Sequence, residues 1–190
     1  MDITKMKAAH KLLNEWKYEL REIEKGYNNR TLYINVGTKE IKEKPVSKLM
    51  KEKFVGGKGF GLKLLWDGTK PTTKWNDPEN EIVIAGGPIC GITQYSGTGK
   101  SIVVSISPQT DSIIDSNVGG HFGPFTKFAG FDAVEIQGKS DKEVIIFIDG
   151  VNGKVEIFEA PEEPIDSHLL GEVLHKMFSE DEKDGKNISV

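Results

Sequence analysis

Between Thr93 and Asp132 the sequence sets two loops rich in glycine close together, Thr93-Gln-Tyr-Ser-Gly-Thr-Gly-Lys-Ser101 and Asn117-Val-Gly-Gly-His-Phe-Gly123, with Lys100 the basic residue of the first. Glycine adopts positive φ and lets a ligand reach the backbone amides with no Cβ in the way. Paired loops of this kind read as a seat for a large phosphorylated ligand, its anion met by amides and an ammonium. A glycine-rich hairpin turn is the competing reading.

The first loop imitates a nucleotide site and fails as one. Ser96-Gly-Thr-Gly-Lys-Ser101 matches the end of a G-x-x-x-x-G-K-[ST] motif, but the first required glycine is Gln94. A nucleotide P-loop also opens into a helix whose amides face the phosphates, whereas Ser101-Ile-Val-Val-Ser-Ile-Ser107 is rich in β-branched residues and ends at Pro108. That segment is expected to be a strand, and the phosphate it flanks is not a nucleotide's.

The elements that must position these loops follow from periodicity and punctuation. Strands are expected at Thr31–Val36, Glu40–Lys44, Ile82–Ala85, Ser101–Ser107, Ala133–Gln137, Glu143–Ile148 and Lys154–Phe158, with Asp149-Gly150 and Asn152-Gly153 turning the last pair. Ser47 is placed to cap a short helix through Phe54, and a second runs from Leu62 to Trp66 after Gly56-Gly-Lys-Gly-Phe-Gly61. That glycine run has the wrong spacing for a dinucleotide fingerprint and reads as close packing of a helix end. Pro161–Pro164 is a connector, Asp166 or Ser167 caps a last helix to Phe178, and the charged tail from Ser179 to Lys186 is expected to be mobile. Met6, Ala9, Leu12, Leu13, Trp16, Leu20 and Ile23 recur at helical spacing, so residues 4–25 are expected to form an amphipathic helix ended by Gly26. Strands that mostly adjoin strands give an α+β class rather than a doubly wound parallel sheet.

Bulk properties narrow the function. A net charge of −4 supplies no basic surface for nucleic acid or an anionic membrane, and no apolar run reaches a membrane span or forms a signal-peptide core. A cytoplasmic chain is expected. Cys90 is the only cysteine, so this chain cannot by itself build a disulfide, a zinc cluster or a four-cysteine iron–sulfur site, and Cys90 reads as a small buried residue.

Taken in order, Gly56-Gly-Lys-Gly-Phe-Gly61, Asp77-Pro-Glu-Asn80, Ile84-Ala-Gly-Gly-Pro88, Ser107-Pro108, Asp115-Ser-Asn-Val-Gly-Gly-His-Phe-Gly123 and Lys127-Phe-Ala-Gly-Phe-Asp132 resemble the N-terminal domain of tungsten-dependent aldehyde ferredoxin oxidoreductases. The resemblance runs from about Arg30 onward, dividing the chain into an N-terminal helical extension (1–29) and the family-like domain (30–190). It implies a base of two sheets on which half of a bis-pterin tungsten cofactor rests, tungstopterin or its molybdopterin counterpart. In the family a basic residue and an Asn-x-Gly-Gly loop bind a pterin phosphate, and the Asn backbone carbonyl helps hold a magnesium ion. Those roles fall on Lys100, Asn117, Val118, Gly119 and Gly120. Lys100 stands where the family usually has arginine, which keeps the charge without the two-pronged contact.

The resemblance also implies what must come from elsewhere. The family's four-iron cluster, second pterin motifs and proton-transfer residues lie outside this sequence, so a larger cysteine-bearing subunit is the expected partner, with ferredoxin or another iron–sulfur protein as electron acceptor. The expectation is a split subunit, a truncated product or a relic whose sheets are incomplete alone. An assembly or scaffold protein that keeps the fold without cofactor is the rival reading. Of the residues beside the loops, His121 and the phenylalanines Phe122, Phe125, Phe128 and Phe131 are expected to pack, and Asp115 and Asp132 to serve turns or caps.

Overall fold

The computed structural model describes residues 10–160, 166–179 and 184–190. Six strands form one sheet in the order β3-β2-β7-β4-β5-β6: β2 (Arg30–Asn35), β3 (Ile41–Pro45), β4 (Glu81–Gly86), β5 (Ser101–Ile106), β6 (Ile113–Val118) and β7 (Ala133–Gln137). The β2–β7 pair is parallel and the other neighbours are antiparallel. A second sheet has three strands in the order β1-β9-β8, from β1 (Leu12–Lys17), β8 (Val144–Asp149) and β9 (Lys154–Glu159). The expected α+β class with two sheets is what the chain adopts.

Two cores flank the large sheet. On one face, α1 (Lys48–Phe54) and α2 (Lys58–Gly68) bury Phe60, Leu64 and Leu65 against Val83, Ala85, Val104 and Ala133. Gly61 permits this: a Cβ there would lie 2.4 Å from a Val104 methyl, so α2 crosses β5 at backbone range. On the other face, Leu32, Ile34 and Val134 meet Val155 and Ile157 of the small sheet. The period-2 alternation of β2, β7 and β9 decides which side chains enter which core. Helix α4 (Ser167–Phe178), N-capped by Asp166, brings Phe178 into a stack with Phe147 at 4.1 Å.

The expected N-terminal helix is overturned over its described part, while residues 4–9 lie outside the described residues. Leu12–Lys17 is a strand antiparallel to β9, with a register shift between Leu12 and Asn14. A bulge absorbs one residue, so Leu13 and Trp16 both pack on the inter-sheet core. A spacing of three, which belongs to a helix in a regular chain, here belongs to a bulged strand. Gly26 caps no helix; its φ is +84°, and a Cβ on it would lie 2.3 Å from the Pro88 carbonyl oxygen. Arg30, 1% exposed, fastens this segment down. Its guanidinium donates to the Glu19 and Gly130 carbonyls, pairs with Glu43 at 2.7 Å, and lies 5.0 Å from the Tyr18 and Phe131 ring centres.

Smaller differences are instructive. Helix α2 begins at Lys58, earlier than Leu62, because Gly59 and Gly61 are tolerated where the helix touches its neighbours. Strand β6 arises from Ile113-Ile-Asp-Ser-Asn-Val118, whose polar half reads as loop until it pairs with β5. The Pro161–Pro164 connector lies outside the described residues. Of the charged tail, Ser179 is buried and bonded to the His175 carbonyl, and Asp184–Asn187 forms a 3-10 turn.

Candidate functional site

The glycine loops meet at one end of the large sheet because β5 and β6 pair in a fixed register. Ser101 is opposite Val118 and Ile102 opposite Asn117, which sets Lys100 beside Gly119 as the strands run out. A Cβ on Gly99 would lie 2.8 Å from the Gly120 carbonyl oxygen, so the loops touch backbone to backbone. A methyl group at Gly97, Gly119 or Gly120 would instead project into open space, and Gly97 and Gly120 have φ of +87° and +96°. The backbone there is bare on its outer side.

All five of the site residues expected from the sequence are thus brought together. Lys100, Asn117, Gly119 and Gly120 are exposed and Val118 is half-buried. The Lys100 ammonium has no hydrogen bond or ion pair among the described residues. The first loop is held from within, Gly91 N–H donating to the Thr98 carbonyl and the Thr98 hydroxyl to the Ile92 and Tyr95 carbonyls. Since Lys100 leads straight into β5, no helix N-terminus opens from this loop, as the sequence predicted.

The floor under the loops is packed and polar. Helix α3 (Phe122–Phe128) begins after Gly120 and the N-cap residue His121 and lies on the start of β5 through Gly123. A Cβ on Gly123 would stand 3.1 Å from Cys90 Sγ and 3.4 Å from Ser101 Cβ. Cys90 is buried, and burial pushes its thiol up, so it packs as a neutral group, as expected. Below it the Lys127 ammonium contacts Asp132 Oδ1 at 2.7 Å and donates to the Gly26 carbonyl at 2.8 Å. Asp132 Oδ1 also accepts from Asn28 N–H, and the Asn28 amide donates to the Lys127 carbonyl. Asp132 therefore anchors a neighbouring turn. Asp115 does not: it lies within β6 and pairs with Lys58 at 2.7 Å. His121 is exposed and leans on the Phe125 ring at 5.5 Å, while Phe131 is core and Phe128 is exposed.

Sequence reading passed over Lys58. Gly57 N–H donates to the Gly86 carbonyl and a Cβ on Gly57 would lie 3.8 Å from Ile102, so the start of α2 sits at the same sheet end. By the pleat, Asn117 shares a face with Ile102 and Asp115, toward Lys58. The available signal was a single basic residue inside a glycine run.

The model of the aldehyde ferredoxin oxidoreductase N-terminal domain matches residues 31–190. The chain belongs to this family. A tungsten-containing aldehyde ferredoxin oxidoreductase of Thermococcus kodakarensis is 37% identical over 145 residues, covering 76% of this chain and 22% of that protein. The "WOR-like subunit" of an aliphatic sulfonate oxidoreductase of Pyrococcus furiosus is 34% identical over 139 residues, 70% of this chain and 21% of that one. Among solved structures, the active-site complex BamBC of benzoyl coenzyme A reductase with 1,5-dienoyl-CoA superposes with a TM-score of 0.67 at 34% identity, over 77% of this chain and 21% of that chain. The chain spans about a fifth of the length of these family members. No described helix is long and apolar enough to cross a membrane.

Proposed function

We propose that this chain seats one pterin phosphate of a tungstopterin, or molybdopterin, within an oxidoreductase of the aldehyde ferredoxin oxidoreductase family. The observation that supports the reading is the β5–β6 register, which brings Lys100, a lysine whose ammonium has no partner among the described residues, alongside the open backbone of Gly119 and Gly120. Such a corner fits a phosphate: a cation supplies charge, and amides without flanking side chains supply short hydrogen bonds. The backbone carbonyl of Asn117 is the group suited to a magnesium ion next to that phosphate.

The bound group would supply two-electron chemistry on an aldehyde, another oxo compound or a thioester. The work of this chain is to hold it. Lys100 neutralises the phosphate, the 118–120 backbone fixes its orientation, and the Cys90–Gly123 contact with the Lys127–Asp132 pair keeps the floor from shifting. The four-iron cluster belongs to a larger cysteine-bearing subunit, from which ferredoxin or a similar protein takes electrons.

Co-expression with that subunit tests the reading. Lys100→Glu sets like charge against phosphate and is expected to reduce pterin and tungsten content severalfold in the purified complex, while the exposed position keeps the stability change within about 0.5 kcal/mol. Unchanged pterin content would sink the assignment. A metal-free chain that folds normally and ignores the cysteine-bearing subunit would establish the scaffold reading instead.

A further inference from the structure

The helix-covered face of the large sheet holds a second ionisable cluster that the pterin seat does not use. Glu81 of β4 is 0% exposed and Glu135 of β7 is 1% exposed. The β4–β7 register sets Glu81 opposite Gln137 and Val83 opposite Glu135, so the two glutamates are diagonal neighbours on one face. Glu135 has both oxygens engaged, Oε1 by the Thr31 hydroxyl and Oε2 by the Lys44 ammonium at 2.5 Å. Neither Glu81 oxygen meets a donor among the described residues. The nearby Gln137 amide is already donated to the Gly68 and Glu79 carbonyls. The end of α2 closes over Glu81, since a Cβ on Gly68 would lie 1.8 Å from its Oε2.

The surrounding charges do not rescue a second anion. Lys63 and Asp67 of α2 pair with each other, and Lys42 of β3 pairs with Glu40 at 2.7 Å and rests over the Tyr33 ring. Among the described residues Lys44 is therefore the one cation bonded to the pair, through Glu135, beside a cavity of about 340 Å³ lined by Lys44, Lys63, Asp67 and Glu135.

We propose that Glu81 keeps its proton in the folded chain and donates it to Glu135, forming a proton-dependent latch between β4, β7 and the end of α2 that fails in mildly alkaline solution. Two neighbouring buried carboxylates, of which only Glu135 is paired with an ammonium, cannot both ionise at small cost. Burial, and after it the charge of Glu135, pushes Glu81 up to about 8. In the unfolded chain Glu81 ionises in the ordinary carboxylate range. Between that range and pH about 8 the folded chain holds a proton that the unfolded chain has lost, so stability falls as pH rises. The unfolding equilibrium constant grows about tenfold per pH unit across that window and levels off above it.

Urea unfolding of the full chain and of Glu81→Gln from about pH 5 to 9 tests this, because glutamine keeps a donor toward Glu135 and does not ionise. The variant is expected to gain on the parent with each pH unit up to about 8, then hold its lead. A difference that is flat with pH overturns the latch. A second measurement needs no stable variant: carbon-13 spectra of the glutamate-labelled parent should show one carboxyl titrating near pH 8, its resonance lost in Glu81→Gln and moved toward the ordinary range in Glu135→Gln. Titration of every glutamate in the ordinary range overturns it equally.

Discussion

Lys127 with Asp132 and Lys44 with Glu135 and Glu81 are both lysine–carboxylate clusters packed against the same sheet, yet their composition differs by one carboxyl. Beneath the glycine loops, one cation meets one anion, each nearly sealed from solvent and tied to backbone from the 26–28 turn. On the helix-covered face, one cation that is a third exposed meets Glu135, and the neighbouring Glu81 carboxyl has no cation of its own among the described residues. The first cluster holds elements in place by charge balance; the second needs a proton to reach balance. The difference teaches that burial alone does not define the role of a charged group, because the count of partners decides which groups stay ionised.

Breaking the balanced pair is expected to have the larger effect. Lys127→Met leaves Asp132 buried without its counter-ion and should cost about 3–5 kcal/mol, read from the urea midpoint at constant m-value. Lys44→Met removes the cation from the unbalanced cluster and should cost less, about 1–2 kcal/mol, because Lys44 is partly exposed and solvent screens its attraction. That variant should also go on losing stability to a higher pH than the parent does, because Lys44 holds Glu81 down. The smallest effect sharpens the contrast from another side. The Ser101 hydroxyl is buried with no partner among the described residues, so Ser101→Ala is expected to be neutral or to stabilise by up to about 1 kcal/mol in the same assay.

Much of the frame was legible in the residues. Strands β2, β5, β7, β8 and β9 announce themselves by β-branched runs, and the Ser47 and Asp166 caps fall where a side-chain oxygen precedes an apolar run. The candidate site was legible through the order of its glycine motifs, whereas the contact between its loops depends on register, which no local stretch encodes. Neither buried cluster could be read. Glu81 and Glu135 look like two ordinary surface charges until antiparallel pairing of β4 with β7 makes them neighbours. The N-terminal segment misled for a physical reason, since a bulge gave Leu13 and Trp16 of β1 the spacing of a helix face. Lys58 was hidden by glycines that also serve helix packing.

The pairing of β1 with β9 has a consequence for how the chain comes into being. Leu12 finds its partner in Phe158, near the opposite end of the described chain. During synthesis the large sheet can assemble from β2 through β7 while β1, carrying Leu13 and Trp16, has no strand to join. Such a strand with a free edge is the kind of segment that seeks partners on other molecules. Arg30, gripping the Glu19 carbonyl and the Tyr18 ring, holds that segment against the finished sheet once Gly130 and Phe131 have been made. The earliest of the described strands in the chain is therefore the last to be paired, and the clasp at Arg30 shortens the time for which it waits alone.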